Sequence, residues 1–226
     1  MRDKKHFSVY VFALGSVLEI FSSIFNRPEW HFFGKPLIMI GLIAHYYFQS
    51  TNRSSFFILA LVFCWMGDVL LLFEGELFFM LGLAAFLIGH VLYILCYRQF
   101  RFADKTKGLL GPQKVRFSFP IILAGTGLVV ILYPSLGDLK IPVLIYALVL
   151  TLMVLNALFR YGRTNTKSFL FVFIGAALFM VSDSLLAINK FYAPFPSAGS
   201  LIMITYCSAQ FLIVEGVLFH TKAQSR

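Results

Sequence analysis

The chain has 226 residues, 59% of them hydrophobic and 13% charged, with a mean hydropathy of +0.83. No soluble domain of this length needs so much apolar surface, so composition excludes a water-soluble globule and points to an all-α, polytopic membrane bundle forming a single domain over residues 1–226. The net charge of +9 does not indicate nucleic acid, because the basic residues sit in short segments between apolar runs, where they orient a membrane protein.

The N-terminus, Met1-Arg-Asp-Lys-Lys, is positive and leads into an apolar run with no small-residue cleavage site before Asn26-Arg27-Pro28, so it reads as an uncleaved first span. Eight apolar runs approach the twenty or so residues that ~30 Å of hydrocarbon demands. They are residues 8–25, 36–50, 55–73, 77–98, 117–133, 141–159, 168–187 and 199–219. Asn26-Arg27-Pro28, Glu74-Gly75-Glu76, Pro134 to Asp138 and Pro194-Phe195-Pro196 mark the turns on one side. Residues 51–53, 101–116 and 162–167 mark those on the other. Eight spans put both termini on one side, and of the 19 Lys and Arg only Arg27, Lys35, Lys140 and Lys190 fall opposite. By the positive-inside rule both termini are cytoplasmic.

The first span carries Glu19, and Lys35 stands at the outer start of the second beside Pro36. The third holds Gly67-Asp68 ahead of a Leu run, and the seventh repeats the idea at Ser182-Asp183-Ser184-Leu185-Leu186. An aspartate at bilayer depth costs several kcal/mol, so both acids are expected to face a protein interior. Asp68 lies five residues before Phe73 and Asp183 four before Ala187, which places both roughly 6–8 Å below the outer boundary. Their matching flanks, 115 residues apart, hint at a four-plus-four duplication. In the fourth span Phe79, Gly82, Phe86, Gly89, His90, Tyr93 and Tyr97 recur at three- and four-residue steps and share one helical face. The glycines suit close helix packing, whereas His90 needs a partner, and Tyr93 is one turn away. Tyr146 in the sixth span and Tyr206 with Gln210 in the eighth complete the polar set near the level of the acids. These are candidate lining residues of a cavity among spans three, four, seven and eight. Lys35 equally suits snorkelling to head groups, and the tyrosines an interfacial belt. Asn156 and Glu215 read as interhelical or capping groups, His45 as structural, and Cys64, Cys96 and Cys207, without CxxC or Cys/His spacing, as packing residues.

Phe79-x-x-Gly82-Leu83-x-x-Phe86-x-x-Gly89-His90-x-x-Tyr93 after Gly67-Asp68, then Phe179-x-x-Ser182-Asp183-x-x-Leu186-Ala187 and Tyr206-x-x-Ala209-Gln210-x-Leu212-Ile213, resembles the YhhN-like lysoplasmalogenase family of integral membrane proteins. Lys35-Pro36 and the Tyr146…Met153…Ala157 run also fit, and the likeness extends from Lys35 onward. The resemblance implies an eight-helix hydrolase that cleaves the vinyl ether bond of a lysoplasmalogen to a fatty aldehyde and a glycerophospho-alcohol, with Asp68 and Asp183 catalytic.

The chemistry suits two acids. A vinyl ether resists base and is cleaved by protonation at carbon, giving an oxocarbenium ion that water captures. One protonated carboxyl and one anion divide that work, as in glycoside hydrolases, and an apolar site beside a like charge keeps one member of such a pair protonated. Lys35 is the candidate for the lipid phosphate; Tyr146, Tyr206 and Gln210, with His90 and Tyr93 nearby, are candidates for binding the rest of the substrate. No cofactor, metal or protein partner is indicated; the expected partners are a lysophospholipid and membrane lipid, and the expected location a bacterial inner membrane. The rivals are a small proton-coupled transporter or lipid-binding protein, favoured by discontinuous helices, and a zinc hydrolase using His90 and the aspartates. A serine hydrolase lacks its GxSxG elbow.

Overall fold

Surrounded by lipid, a backbone of Leu, Phe, Val and Ile has no solvent to bond to and must satisfy its own amides, which makes helices the only open choice. The computed structural model describes residues 2–25, 27–104 and 106–224 of the chain; the expected turn residue Asn26 lies outside them. Among the described residues there are eight α-helices: α1 (Arg2–Phe25), α2 (His31–Gln49), α3 (Ser55–Leu70), α4 (Glu76–Gln99), α5 (Gly111–Leu132), α6 (Lys140–Leu158), α7 (Thr166–Ala187) and α8 (Ala198–Gln224). Six helical stretches are long and apolar enough to cross a membrane, and Ser55–Leu70 is a shorter apolar helix. The chain is a polytopic helical membrane bundle.

Local chemistry sets several ends. The Ser54 hydroxyl accepts from the Phe57 amide to start α3, and the Asn165 carbonyl oxygen accepts from the Ser168 amide to start α7. The second helix begins at His31, ahead of the expected Pro36, because His31 is already held against Glu19 of α1. The seventh does not stop at Ala187 but runs on as a single π-turn, Ile188–Tyr192.

Consecutive helices pair as α1 with α2, α3 with α4 and α7 with α8, and further contacts of α2 with α3, α4 with α6, α6 with α7 and α8 with α1 close a ring of seven. Helix α5 stands outside that ring against α6 and leaves Val115, Phe119, Leu123 and Val130 exposed. The two halves of the chain are therefore not packed alike, since α1 is built into the ring and α5 is appended to it. Close approaches rest on glycine: a Cβ on Gly41 of α2 would stand 2.5 Å from the Phe12 backbone of α1. On the α4 face, Gly82 meets Leu71 and Gly89 meets Cys64, so both glycines serve the α3–α4 contact.

The end of the bundle opposite the acids is pinned by Arg160, which sequence reading counted among the loop charges. Its side chain is fully buried and donates to the Phe100 carbonyl (3.2 Å), the Ser168 carbonyl (3.3 Å) and the Ser168 hydroxyl (2.7 Å). The Ser168 hydroxyl in turn donates to the Gly216 carbonyl at 2.6 Å, so one guanidinium links the end of α4, the start of α7 and α8. Nearby, Asn156 accepts from Arg98 and Arg101, and His45 meets Glu215 at 2.6 Å, the interhelical roles expected of Asn156 and Glu215 and the structural one expected of His45. Truncating Arg160 to Ala removes the donor to two carbonyls and a hydroxyl and is expected to destabilise the protein by about 3 kcal/mol. Thermal unfolding of R160A in detergent checks this, and the conservative R160K should recover only part of the loss because one ammonium cannot span the three acceptors.

Candidate active site

Both aspartates lie near the C-terminal ends of their helices, Asp68 in the last turn of α3 and Asp183 in the last two turns of α7. Each finds a tyrosine on another helix. Tyr206 of α8 donates its hydroxyl to Asp68 Oδ2 at 2.6 Å, and Tyr146 of α6 donates to Asp183 Oδ2. Asp68 is almost wholly buried, and the charges that act on it include Lys35, Glu19 and Asp183.

Behind Asp68 the bonds continue inward. Tyr93 of α4 donates to Gln210 Oε1 at 2.6 Å, and Gln210 Nε2 donates to the Tyr206 hydroxyl at 3.4 Å. Tyr93, Gln210, Tyr206 and Asp68 thus form one chain across α4, α8 and α3. Tyr93 does not serve as partner to His90, as the helical spacing suggested. His90 is fully buried, and among the described residues neither of its ring nitrogens has a hydrogen-bond partner. Its Nε2 lies 4.0 Å from Asp183 Oδ2, and its ring packs edge-on to Phe179 and Tyr146 with centroids 4.8 and 5.3 Å away.

The space beside Asp183 is a narrow cavity of about 50 Å³ whose wall is almost wholly apolar, with Phe79, Phe86, Leu128, Leu132, Val143 and Phe191 among its lining. Leu71 of α3 reaches it, as do Gly125 of α5 and Tyr146 of α6. The expectation of a cavity among spans three, four, seven and eight is therefore corrected: α3, α4 and α7 contribute, but α5 and α6 take the place of α8. The physical reason is that Tyr206 and Gln210 of α8 are spent on the buried chain to Asp68 and fill their own volume. Phe86 lines the wall on that side, with its ring against Gly67, where a Cβ would come within 2.6 Å, and edge-on to Phe179 and Tyr206.

Lys35 is not part of this cavity. It lines a second, polar one together with Glu19, His31 and Asn189, and Leu186 borders both. Of the residues singled out from sequence, then, the fold joins Asp68, Tyr206, Gln210 and Tyr93 by hydrogen bonds, gathers Asp183, Tyr146 and His90 beside the apolar cavity, and sets Lys35 across Leu186. His31 was missed, since a histidine just outside a span carries no signal until Glu19 is seen to meet it. Among the described residues no three His, Cys, Asp or Glu side chains are grouped closely enough to hold a metal ion.

The chain has relatives among known proteins. The chain is similar to the human protein named lysoplasmalogenase TMEM86B, 35% identical over 160 residues that cover 70% of this chain and 62% of that protein. It is similar as well to bovine lysoplasmalogenase TMEM86A, at 32% over 68% of this chain and 61% of the relative, and to a Mycobacterium tuberculosis lysoplasmalogenase, at 32% over 62% and 51%. The chain thus matches roughly six tenths or less of the length of these relatives. No solved structure matches it. The model of the YhhN family matches residues 30–217, which include both aspartates and both of their tyrosines, and the chain belongs to that family.

Proposed function

We propose that the protein is a lysoplasmalogenase-like hydrolase, which cleaves the vinyl ether of an alkenyl lysophospholipid to a fatty aldehyde and glycerophospho-ethanolamine or glycerophospho-choline. The observation that carries this reading is the pair of buried carboxyls, each held by a tyrosine from another helix, one of them at the wall of an apolar cavity suited to a hydrocarbon chain. The relatives' names point the same way.

In this reading the alkenyl chain lies in the apolar cavity with its vinyl ether at Asp183. Asp183, facing hydrocarbon and tied to Tyr146, is the acid that gives its proton to the outer vinyl carbon. The π-electrons move to form the new C–H bond, and the positive charge rests on the ether oxygen and its carbon. Asp68, with Tyr206 donating to it, is the anion that stabilises this cation and directs water to it. Loss of a proton from the added water gives a hemiacetal, which collapses to aldehyde and free alcohol; one water is consumed and the acid is restored. His90, 4.0 Å from Asp183 and otherwise unpartnered, lies close enough to orient substrate or pass the returning proton. The protein would sit in a bacterial inner membrane with both termini cytoplasmic.

A transporter is the lesser reading, because both acids lie within unbroken α-helix and the irregular turn at Ile188–Tyr192 begins beyond Asp183. Purified protein in detergent is expected to release aldehyde from an alkenyl lysophospholipid and none from its ester analogue. Asp68→Asn and Asp183→Asn should each lower kcat by about 10²–10⁴-fold. Folded Asp→Asn variants with normal turnover would sink the mechanism; absence of aldehyde from the intact protein, together with proton-coupled uptake into vesicles, would install the transporter in its place. Tyr146→Phe and Tyr206→Phe each delete one bond to a carboxyl, and a fall in kcat of about tenfold or more with little change in KM is expected from either. Steady-state kinetics on both variants checks it, and a pure rise in KM would assign the tyrosines to ground-state substrate binding instead.

A further inference from the structure

The polar cavity holding Lys35 is an open one of about 550 Å³ between α1, α2, the π-turn and the start of α8, and it carries an unsatisfied polar group. Glu19 is fully buried. His31 Nδ1 lies 2.8 Å from its Oε1, whereas its Oε2 is buried with no hydrogen-bond partner among the described residues. A buried carboxylate oxygen left without a donor is costly and in a cavity wall calls for one from whatever fills the cavity. The cation of the same cavity, Lys35, is half-buried. The cavity is thus an acceptor and a cation offered to one ligand, and it adjoins the apolar cavity across Leu186.

We infer that this cavity is a head-group site that takes a phosphate on Lys35 and a primary ammonium on Glu19, and so selects ethanolamine-type over choline-type lysolipids; the inference rests on the lysolipid hydrolase reading above. A primary ammonium brings N–H donors that satisfy Oε2, while a trimethylammonium has none. A quaternary group is held instead by stacked aromatic faces, and the described lining offers only Phe195 and the His31 ring, with no Tyr or Trp. His31, by occupying Oε1, orients the carboxylate and leaves Oε2 for the ligand. Glu19 lies outside the stretch 30–217 that the family model matches.

The test has a kinetic and a binding arm. Aldehyde release from alkenyl lysophosphoethanolamine and alkenyl lysophosphocholine is compared for wild type, Glu19→Gln and Lys35→Met in detergent. Wild type is expected to favour the ethanolamine lipid about tenfold or more in kcat/KM. Glu19→Gln, whose side-chain oxygen still accepts from His31, should raise KM for that lipid and bring the ratio near one. Lys35→Met should raise KM for both lipids and leave their ratio standing. The binding arm titrates the same three proteins with ester lysophosphatidylethanolamine and ester lysophosphatidylcholine, which lack the vinyl ether. A wild-type preference for ethanolamine that Glu19→Gln removes supports the site even if no alkenyl lipid is cleaved, in which case only the hydrolase reading falls. Equal binding of the two head groups by wild type, or a preference that survives in Glu19→Gln, overturns the head-group site while leaving vinyl ether hydrolysis untouched, and neither outcome depends on whether a harsher Glu19 variant folds.

Discussion

The structure turns on the need of two carboxyl groups for donors in a place where lipid supplies none. Neither Asp68 nor Asp183 is answered from its own helix. The donors come from Tyr206 on α8 and Tyr146 on α6, so each acid ties its helix to another element of the ring. Interhelical hydrogen bonds of this kind are worth about 1 kcal/mol each, too little to hold a bundle together alone. Their force is in the alternative. A helix slipped by one residue would leave a carboxyl, a phenol and, through Gln210, the Tyr93 hydroxyl without partners at once, and those costs add up to a register that packing by itself would not enforce.

Around that polar chain the apolar residues do a different task. Gly67, Gly82 and Gly89 let α3 and α4 lie close together, which brings Phe86 over Gly67 and aligns it with Phe179 and Tyr206 as a wall of edge-on rings. Phe86 is common to both sides, lining the apolar cavity at Asp183 and lying against Gly67, the neighbour of Asp68. That cavity exists because α5 stands outside the ring: Gly125, Leu128 and Leu132 approach it from the far side without filling it as a ring helix would. The same displacement breaks the resemblance between the two halves. Asp68 and Asp183 have matching sequence flanks, yet one is answered from α8 and the other from α6, positions that a four-plus-four repeat would not relate.

Much of the fold was legible, and for a plain reason. Apolar runs, Pro and Gly punctuation and the cost of a buried acid are local properties, so the bundle, its order of helices and the turning of Asp68 and Asp183 towards other helices follow from short windows of residues. The one-sided pattern of Gly82, Phe86, Gly89, His90 and Tyr93 likewise gave the buried face of α4. What short windows do not carry is pairing. Tyr206 and Asp68 are 138 residues apart, and nothing in either neighbourhood names the other. Arg160 was hidden for the opposite reason, since an arginine at the end of a span is ordinarily solvated and only its place beneath Phe100 and Ser168 makes it a core residue. The wall contributed by α5 was invisible because its cavity-facing residues are as apolar as those that face lipid.

The two cavities explain how an amphiphile would be placed. A lysolipid is an amphiphile whose cleavable bond lies between a hydrocarbon chain and a phosphorylated head, so an enzyme for that bond must join an apolar space to a polar one at the reacting atoms. Here the apolar space borders Asp183 and the polar one holds Lys35, with Leu186 common to both. On the proposed reading the substrate's own amphiphilic order, matched by the order of the cavities, sets the hydrocarbon chain beside Asp183 and the phosphate beside Lys35, so that the bond between them falls at the acid.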